Sequence, residues 1–333
     1  MSALAVLTTF LFTVIKYNMA LLYGTVGEIV TEKSGSLNLG VEGTMAIGGI
    51  GGFLFGCAFD SIFVGIIASF ICAALCGLLF AFLTVTLQAN QNVTGLTITT
   101  FGLGMYFFIG NGFKAAGKWP DMNTEAVADF KSGTEALEIP LLSKIPVIGK
   151  ALFSQNILIY LGIAIAIFMW WYFKYTKPGL KIRAVGENPA SADAVGVNIT
   201  LYKYIHLMIG SGIMGIGGLL MAVNLSGSFE GSKCWINGYG WIAIALVIFA
   251  NWNTMLAIFG TFIFGLFNTL QVYGGSLSDA FPKLLGWLDK IPPQFMQALP
   301  FIITAIVLVV SSITNKRNNK PSAIGLNYYR EDR

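Results

Sequence analysis

The chain has 333 residues, of which 55% are hydrophobic and only 11% charged, and its formal net charge is +4. Soluble domains carry about 25% charged residues, so there is too little polar surface here to cover a water-soluble globule. A charge excess this small also leaves no electrostatic footprint for nucleic acid, and the remaining class is a polytopic integral membrane protein.

Charge-poor runs of roughly 20 residues are the length of a membrane helix. They recur at about 3–25, 41–57, 61–87, 93–112, 155–173, 204–224, 238–251, 254–273 and 297–314. The expected fold is all-α, with about nine transmembrane helices and eight or ten as the neighbouring counts. None of the runs alternates as a barrel strand does, and only helices or closed barrels satisfy their backbone in hydrocarbon. The apolar run at the N-terminus is read as the first span, because no positive charge precedes it and no small-residue cleavage site closes it.

Between the first two runs lies an interruption. From Gly27 to Gly43 it contains glycine, serine and the carboxylates Glu28, Glu32 and Glu42. It fits a solvated turn or a discontinuous helix near 28–43 beside a translocation path, since irregular backbone at membrane depth must be buried in protein or line a watery cavity. In the next run, Gly48, Gly52 and Gly56 are spaced for close helix packing. Cys72 and Cys76 share a face of an uncharged span and read as inert packing. With Cys57 and Cys234 they form no C-x-x-C, so neither a disulfide framework nor a metal site is expected. Ala89-Asn90-Gln91-Asn92 before one span is echoed faintly by Ala250-Asn251-Trp252-Asn253 before another.

The stretch from Gly112 to Lys118 nearly spells a phosphate-binding loop, but Trp119 stands where a hydroxyl should follow. Residues 113–154 are mixed-polar, with Pro120, Pro140 and Pro146, and are expected to form an external loop. The connection 174–203 is basic, with Lys174, Lys177, Lys181, Arg183 and Lys203, and so is the tail 315–333. Positive connections face the cytoplasm, which puts both of them, and the C-terminus, on that side. Gly210-Ser211-Gly212-Ile213-Met214-Gly215 matches a dinucleotide fingerprint by letter, but it lies within an apolar run with no strand before it; close helix packing explains it better. His206 is read as a hydrogen-bonded ring near the interface. No nucleophile–base pair is visible, so no catalytic residue is expected.

Within the basic connection, Asn188-Pro189 favours a turn that opens a helix, Ala190 to Val195 is helix-favouring, and Gly196 can end it. Residue chemistry alone leaves this as either a surface loop or a short helix suited to docking in another protein's groove.

The segment Gly186-Glu187-Asn188-Pro189, with Ala192 and Gly196, followed by Tyr204 and the glycines of 210–218, resembles the coupling-loop region of ABC importer permeases of the branched-chain amino acid, ribose and simple-sugar superfamily. Three further segments resemble the nucleoside and simple-sugar branch: Gly27-Glu28 through Glu42-Gly43, Gln91-Asn92-Val93-Thr94-Gly95-Leu96, and Gly238 through Asn253. Ser36 and Asn253-Thr254 depart from the branch pattern, and 113–154 and the tail are not covered by it.

The resemblance implies one permease domain over 1–333 in a bacterial plasma membrane. It implies a second permease subunit, a separate ATPase that binds the ATP, and an extracytoplasmic binding lipoprotein that delivers a nucleoside or related sugar. Gly186, Glu187, Asn188, Pro189, Ala190, Ala192, Asp193 and Gly196 would then couple to the ATPase. Glu187 and Asp193 would pair with its basic residues, and Ala190, Ala192 and Ala194 would pack against it. Asn38, Glu42, Asn92, Thr94 and Phe101 are the candidates for the substrate pathway. The competing class is an ion-coupled secondary transporter, against which the scarcity of ionisable residues in the spans counts; a passive channel or scaffold is a third.

Overall fold

The computed structural model describes residues 3–329 apart from 123, 139–142, 144, 289–290, 293–294, 297, 300, 304, 307–308 and 310–318. The fold is helical. In chain order the main elements are α1 (Ala3–Glu32), α2 (Val41–Ala58), α3 (Ile62–Ala81), which ends in a π-helical turn at Phe82–Thr86, and α4 (Gln91–Ala115). The 113–154 stretch is partly folded, with the short helices α5 (Ala128–Gly133) and α6 (Ile148–Phe153). The strand pair β1 (Ala136–Glu138) and β2 (Ser154–Asn156) is antiparallel. There follow α7 (Ile157–Tyr175), α8 (Lys177–Glu187), α9 (Pro189–Ala194), α10 (Ile199–Asn224), α11 (Tyr239–Phe249), α12 (Thr254–Ala280) and α13 (Pro282–Leu285).

Seven described helices are long and apolar enough to cross a membrane: α1, α2, α3 with its π turn, α4, α7, α10 and α12. The expected count of about nine is therefore not reached among the described residues. The run at 238–251 folds as α11, whose 11 residues span about 16 Å at 1.5 Å per residue, roughly half a bilayer core. The run at 297–314 falls largely on residues outside the description, as do 315–318 and 330–333 of the tail.

At the centre stands α10, packed on α1, α2 and α3. Its most apolar stretch is 83% buried, against 33% for α7. The glycine runs make this possible. A Cβ on Gly48 would lie 2.3 Å from the Gly215 Cα, and one on Gly210 would lie 2.6 Å from the Gly27 carbonyl oxygen. The α10 glycines thus serve helix crossing, as small residues do in lipid. His206 is held by the Tyr172 hydroxyl at 3.0 Å and the Tyr202 carbonyl at 2.7 Å.

The first interruption is a true break. Helix α1 runs on through Glu32, residues 33–40 fold back, and α2 starts well inside the bundle: a Cβ on Gly24 would touch Ala243 and Met45 and lie 3.6 Å from Val41. Helix α11 begins against the start of α2 and runs alongside the second half of α1, ending where the Trp252 indole meets Glu32.

Candidate functional site

Two places concentrate polar groups in this apolar molecule. The first lies near the midpoint of the bundle, where α1, the start of α11 and α12 enclose a cleft of about 860 Å³. That volume is in the range of small-molecule sites, roughly 300–1,000 Å³. Asn18, close to the middle of α1, is buried and bonds across to α12. Its Nδ2 donates to Thr269 Oγ1 at 3.1 Å, and its Oδ1 accepts from Asn268 Nδ2 at 2.7 Å. Asn268 also donates to the Tyr239 hydroxyl at 2.8 Å. Thr13 donates to Tyr273 at 3.2 Å higher along the same wall. Tyr17, Asn237, Gln271 and the cation Lys233 complete the polar lining. A bundle surrounded by hydrocarbon gains nothing from amides and phenols unless they are bonded, and here they bond one another around an open space.

The mouth of α11 is fixed by a carboxylate. Glu42, in the first turn of α2, accepts from the Gly238 amide at 2.6 Å and the Gly240 amide at 2.7 Å. This puts negative charge on the positive end of a helix dipole and satisfies orphan amides at membrane depth. Gly238 sits at φ +93°, a left-handed conformation that glycine adopts without strain. Asn38 is buried beside this junction. Its Oδ1 accepts from the Gly40 amide at 2.8 Å, and its own amide donates to Glu28 at 3.2 Å. Glu28 in turn accepts from Thr31 at 2.8 Å. Thr94 is buried on α4 and bonds the Asn90 carbonyl at 2.8 Å, whereas Asn92 and Phe101 lie on the exposed face of α4. None of Asn38, Glu42, Asn92, Thr94 and Phe101 lines the α1–α11–α12 cleft; Glu42 shapes it by holding α11 in place.

The second place is the end of the bundle that carries α8 and α9. Asn188 caps α9, its Oδ1 accepting from the Ser191 amide at 3.0 Å, and Pro189 occupies the first turn. Gly186 packs on the break after α1 so closely that a Cβ would stand 2.4 Å from the Lys33 carbonyl oxygen. On the short helix, Ala190, Ala194 and Val195 are exposed, Val195 at 79%. Ala192 points the other way and is buried in this chain's own core.

A strap closes this end. Residues 319–329 lie across α8, α9 and the α1–α2 break. The Ala323 amide donates to the Gly186 carbonyl at 2.9 Å, and the Gly325 amide to the Gly35 carbonyl at 3.1 Å. Glu187 accepts from Ser322 Oγ at 2.8 Å, and Asp193 from the Tyr328 hydroxyl at 2.9 Å. Asn327 donates to the Gln88 carbonyl at 2.6 Å and accepts from Gln91 at 3.0 Å. The faint sequence echo has a counterpart here. Gln91 bonds the Leu37 amide at 2.8 Å, and Trp252, at the equivalent place in the other copy, bonds Glu32, so both brace the same break. Sequence reading missed the strap, whose bonds to Glu187, Asp193, Gln88 and Gln91 join residues at least 135 positions apart in the chain.

Among the described residues no group of His, Cys, Asp and Glu is placed to hold a metal ion. Burial pushes the Cys234 thiol up to about 12, which keeps it protonated and unreactive at neutral pH.

A bundle of membrane helices, one of them half-length and meeting a polar cleft midway, with a short capped helix bound to the break at one end, describes a solute permease. Comparison with known proteins specifies it. Residues 10–310 match the family described as the permease component of the branched-chain amino acid transport system, and the chain belongs to that family. It is similar to the nucleoside ABC transporter permease NupC of Lactococcus lactis, 32% identical over 94% of each chain, and to the guanosine ABC transporter permease NupQ of Bacillus subtilis, 31% identical over 95% of each. TsgC13 of Haloferax volcanii, whose name provisionally assigns it to glucose as an ABC permease, is 33% identical over 93% of this chain and 94% of its own. The protein is a multi-pass ABC transporter permease, a transport component, and the ion-coupled reading is not favoured.

Proposed function

We propose that this permease imports nucleosides or closely related sugars, and that the cleft between α1, α11 and α12 is where the solute rests in transit. One observation carries the reading: a polar, aromatic-walled space at mid-bundle, bordered by the start of a half-length helix. Discontinuous helices at the midplane are where transporters place their substrates. Tyr17, Tyr239 and Tyr273 offer flat faces for a base, while Asn18, Asn237, Asn268 and Gln271 offer amides for ribose hydroxyls and base edges. The charged lining residue is Lys233, from the loop before α11, which can donate to a hydroxyl or carbonyl oxygen of a neutral solute. The names of NupC and NupQ point to nucleosides, and that of TsgC13 to a sugar.

The end carrying α8, α9 and the strap faces the cytoplasm in this reading, in line with the positive connections, and α9 seats in the groove of a separate ATPase. Ala190, Ala194 and Val195 form the contact. Glu187 and Asp193 hold the strap beside that contact. An extracytoplasmic binding lipoprotein delivers the solute to the opposite end, around 113–154, and a second permease subunit completes the pathway. ATP binding shifts the permease between its two openings only by as much as the ATPase prefers one α9 position over the other. Uptake of labelled guanosine, adenosine and glucose by vesicles holding the permease, its ATPase and its binding lipoprotein tests the assignment. ATP-dependent nucleoside uptake supports it, and uptake of glucose alone shifts the solute class to sugars.

A further inference from the structure

At the same end of the bundle as the strap, a small cavity of about 160 Å³ opens between the last turn of α7, α8 and the start of α12. Three cations line it: Lys33, Lys174 and Arg183, together with Trp170, Trp252 and the Asn319 backbone. Lys33 is only 9% exposed, and its Nζ donates to the Asn319 carbonyl at 3.0 Å, using one of the three donors an ammonium carries. The Lys174 Nζ stands 4.9 Å from the Trp170 ring and 5.2 Å from the Tyr175 ring, held by cation–π contacts at the rim. The nearby carboxylates are already engaged, Glu32 by Trp252 and Glu187 by Ser322. Burial and the adjacent Arg183 guanidinium lower the Lys33 ammonium to about 8, against the opposing pull of Glu187 and Glu32.

The depth of the cavity says what the anion is. The last turns of α7 carry Trp170, Trp171, Tyr172 and Tyr175, with Trp171 and Tyr175 about half exposed. Such a belt sits at headgroup level, and the basic cavity opens beside it. Basic pockets between membrane helices at that level bind anionic lipid headgroups.

We propose that Lys33, Lys174 and Arg183 form a binding site for a phosphodiester anion, supplied by the headgroup of an anionic phospholipid. The acyl chains would run along the exposed face of α7 beside Phe168 and Trp171. This site is independent of the transported solute.

The test uses the full-length permease purified in mild neutral detergent. Native mass spectrometry and thermal unfolding are followed with phosphatidylglycerol, phosphatidylcholine or inorganic phosphate added. The expected result is retention of, and stabilisation by, phosphatidylglycerol but not phosphatidylcholine. Replacing Lys174→Gln and Arg183→Gln together should weaken phosphatidylglycerol binding by about 30-fold, from the attraction of a basic residue to an anionic surface. Lys174→Arg with Arg183→Lys should restore most of it and exclude a mere folding defect. Equal retention of phosphatidylglycerol by the double Gln variant would overturn the site. Equal stabilisation by inorganic phosphate would overturn the lipid source, and displacement of the lipid on adding the ATPase would assign the cations to the subunit contact instead.

Discussion

The Tyr328 hydroxyl donates to the Asp193 carboxylate at 2.9 Å, so the end of the described chain is bonded to α9. The same strap bonds Gly186 and Gly35 through successive backbone contacts. The short helix, the break after α1 and the C-terminal segment therefore move as one body unless those bonds open. A variant ending at residue 318 should insert in the membrane and still co-purify with the ATPase while losing most uptake. Tyr328→Phe, which removes one hydrogen bond worth about 1 kcal/mol, should lower uptake only a few-fold. Full uptake by the truncated chain would show that the strap is dispensable.

Substitutions on the two faces of α9 should separate coupling from folding. Ala190→Arg and Val195→Asp fall on exposed positions, where substitutions usually stay within about 0.5 kcal/mol of neutral. Both should abolish ATP-driven uptake with little change in thermal unfolding. Ala192→Arg places a long charged chain in the core and should cost more than about 3 kcal/mol, seen as poor yield and a depressed Tm. Unfolding curves for the three variants distinguish the outcomes.

Glu42 should matter as the cap of α11. Glu42→Gln leaves an amide donor facing two backbone N–H groups that now donate to a carboxylate. Hydrogen bonds to charged groups contribute about 1.5–3 kcal/mol, so a loss of that order is expected, with uptake falling alongside it. Glu42→Asp should be intermediate. Thermal unfolding in detergent reads the first effect and vesicle uptake the second.

In the cleft, Tyr17→Ala should raise the half-saturating nucleoside concentration roughly tenfold, because base–aromatic stacking contributes about 1–3 kcal/mol. Asn268→Leu should do at least as much, since it also unties Asn18 from Tyr239. Initial uptake rates against concentration, at matched expression, check both.

Lys33 makes the fold sensitive to alkaline pH. Its ammonium is lowered from 10.5 to about 8, first by burial and then by Arg183, with Glu187 and Glu32 opposing. Below pH 8 the group is charged in folded and unfolded chains alike, and the folded state bears the cost. Between pH 8 and 10.5 the unfolded chain binds more protons, so stability should rise with pH over that window. Lys33→Met should flatten the rise, as should phosphatidylglycerol in the adjoining cavity. Tm measured across the window with and without the lipid gives the comparison.

The membrane class, the helical fold and the permease family are legible in the residues themselves. Charge depletion over long apolar runs leaves no other solvent than lipid, and motifs such as Gly186 to Gly196 keep their order and spacing whatever the packing. The interruption between α1 and α2 and a helix opening at Asn188-Pro189 are readable only as one of two alternatives each, because local backbone chemistry suggests a break or a cap without excluding a plain loop. Tertiary structure alone decided the rest. Asn18 and Asn268 stand far apart in the chain, each an amide within an apolar run, and such an amide reads alike whether it knots two helices or faces a solute. Ala192 and Ala190 have the same side chain two positions apart, and only the contacts around α9 turn one inward and the other out. Lys33, Lys174 and Arg183 share a cavity for the same reason: convergence in space is a property of helix packing, which no single stretch of sequence encodes.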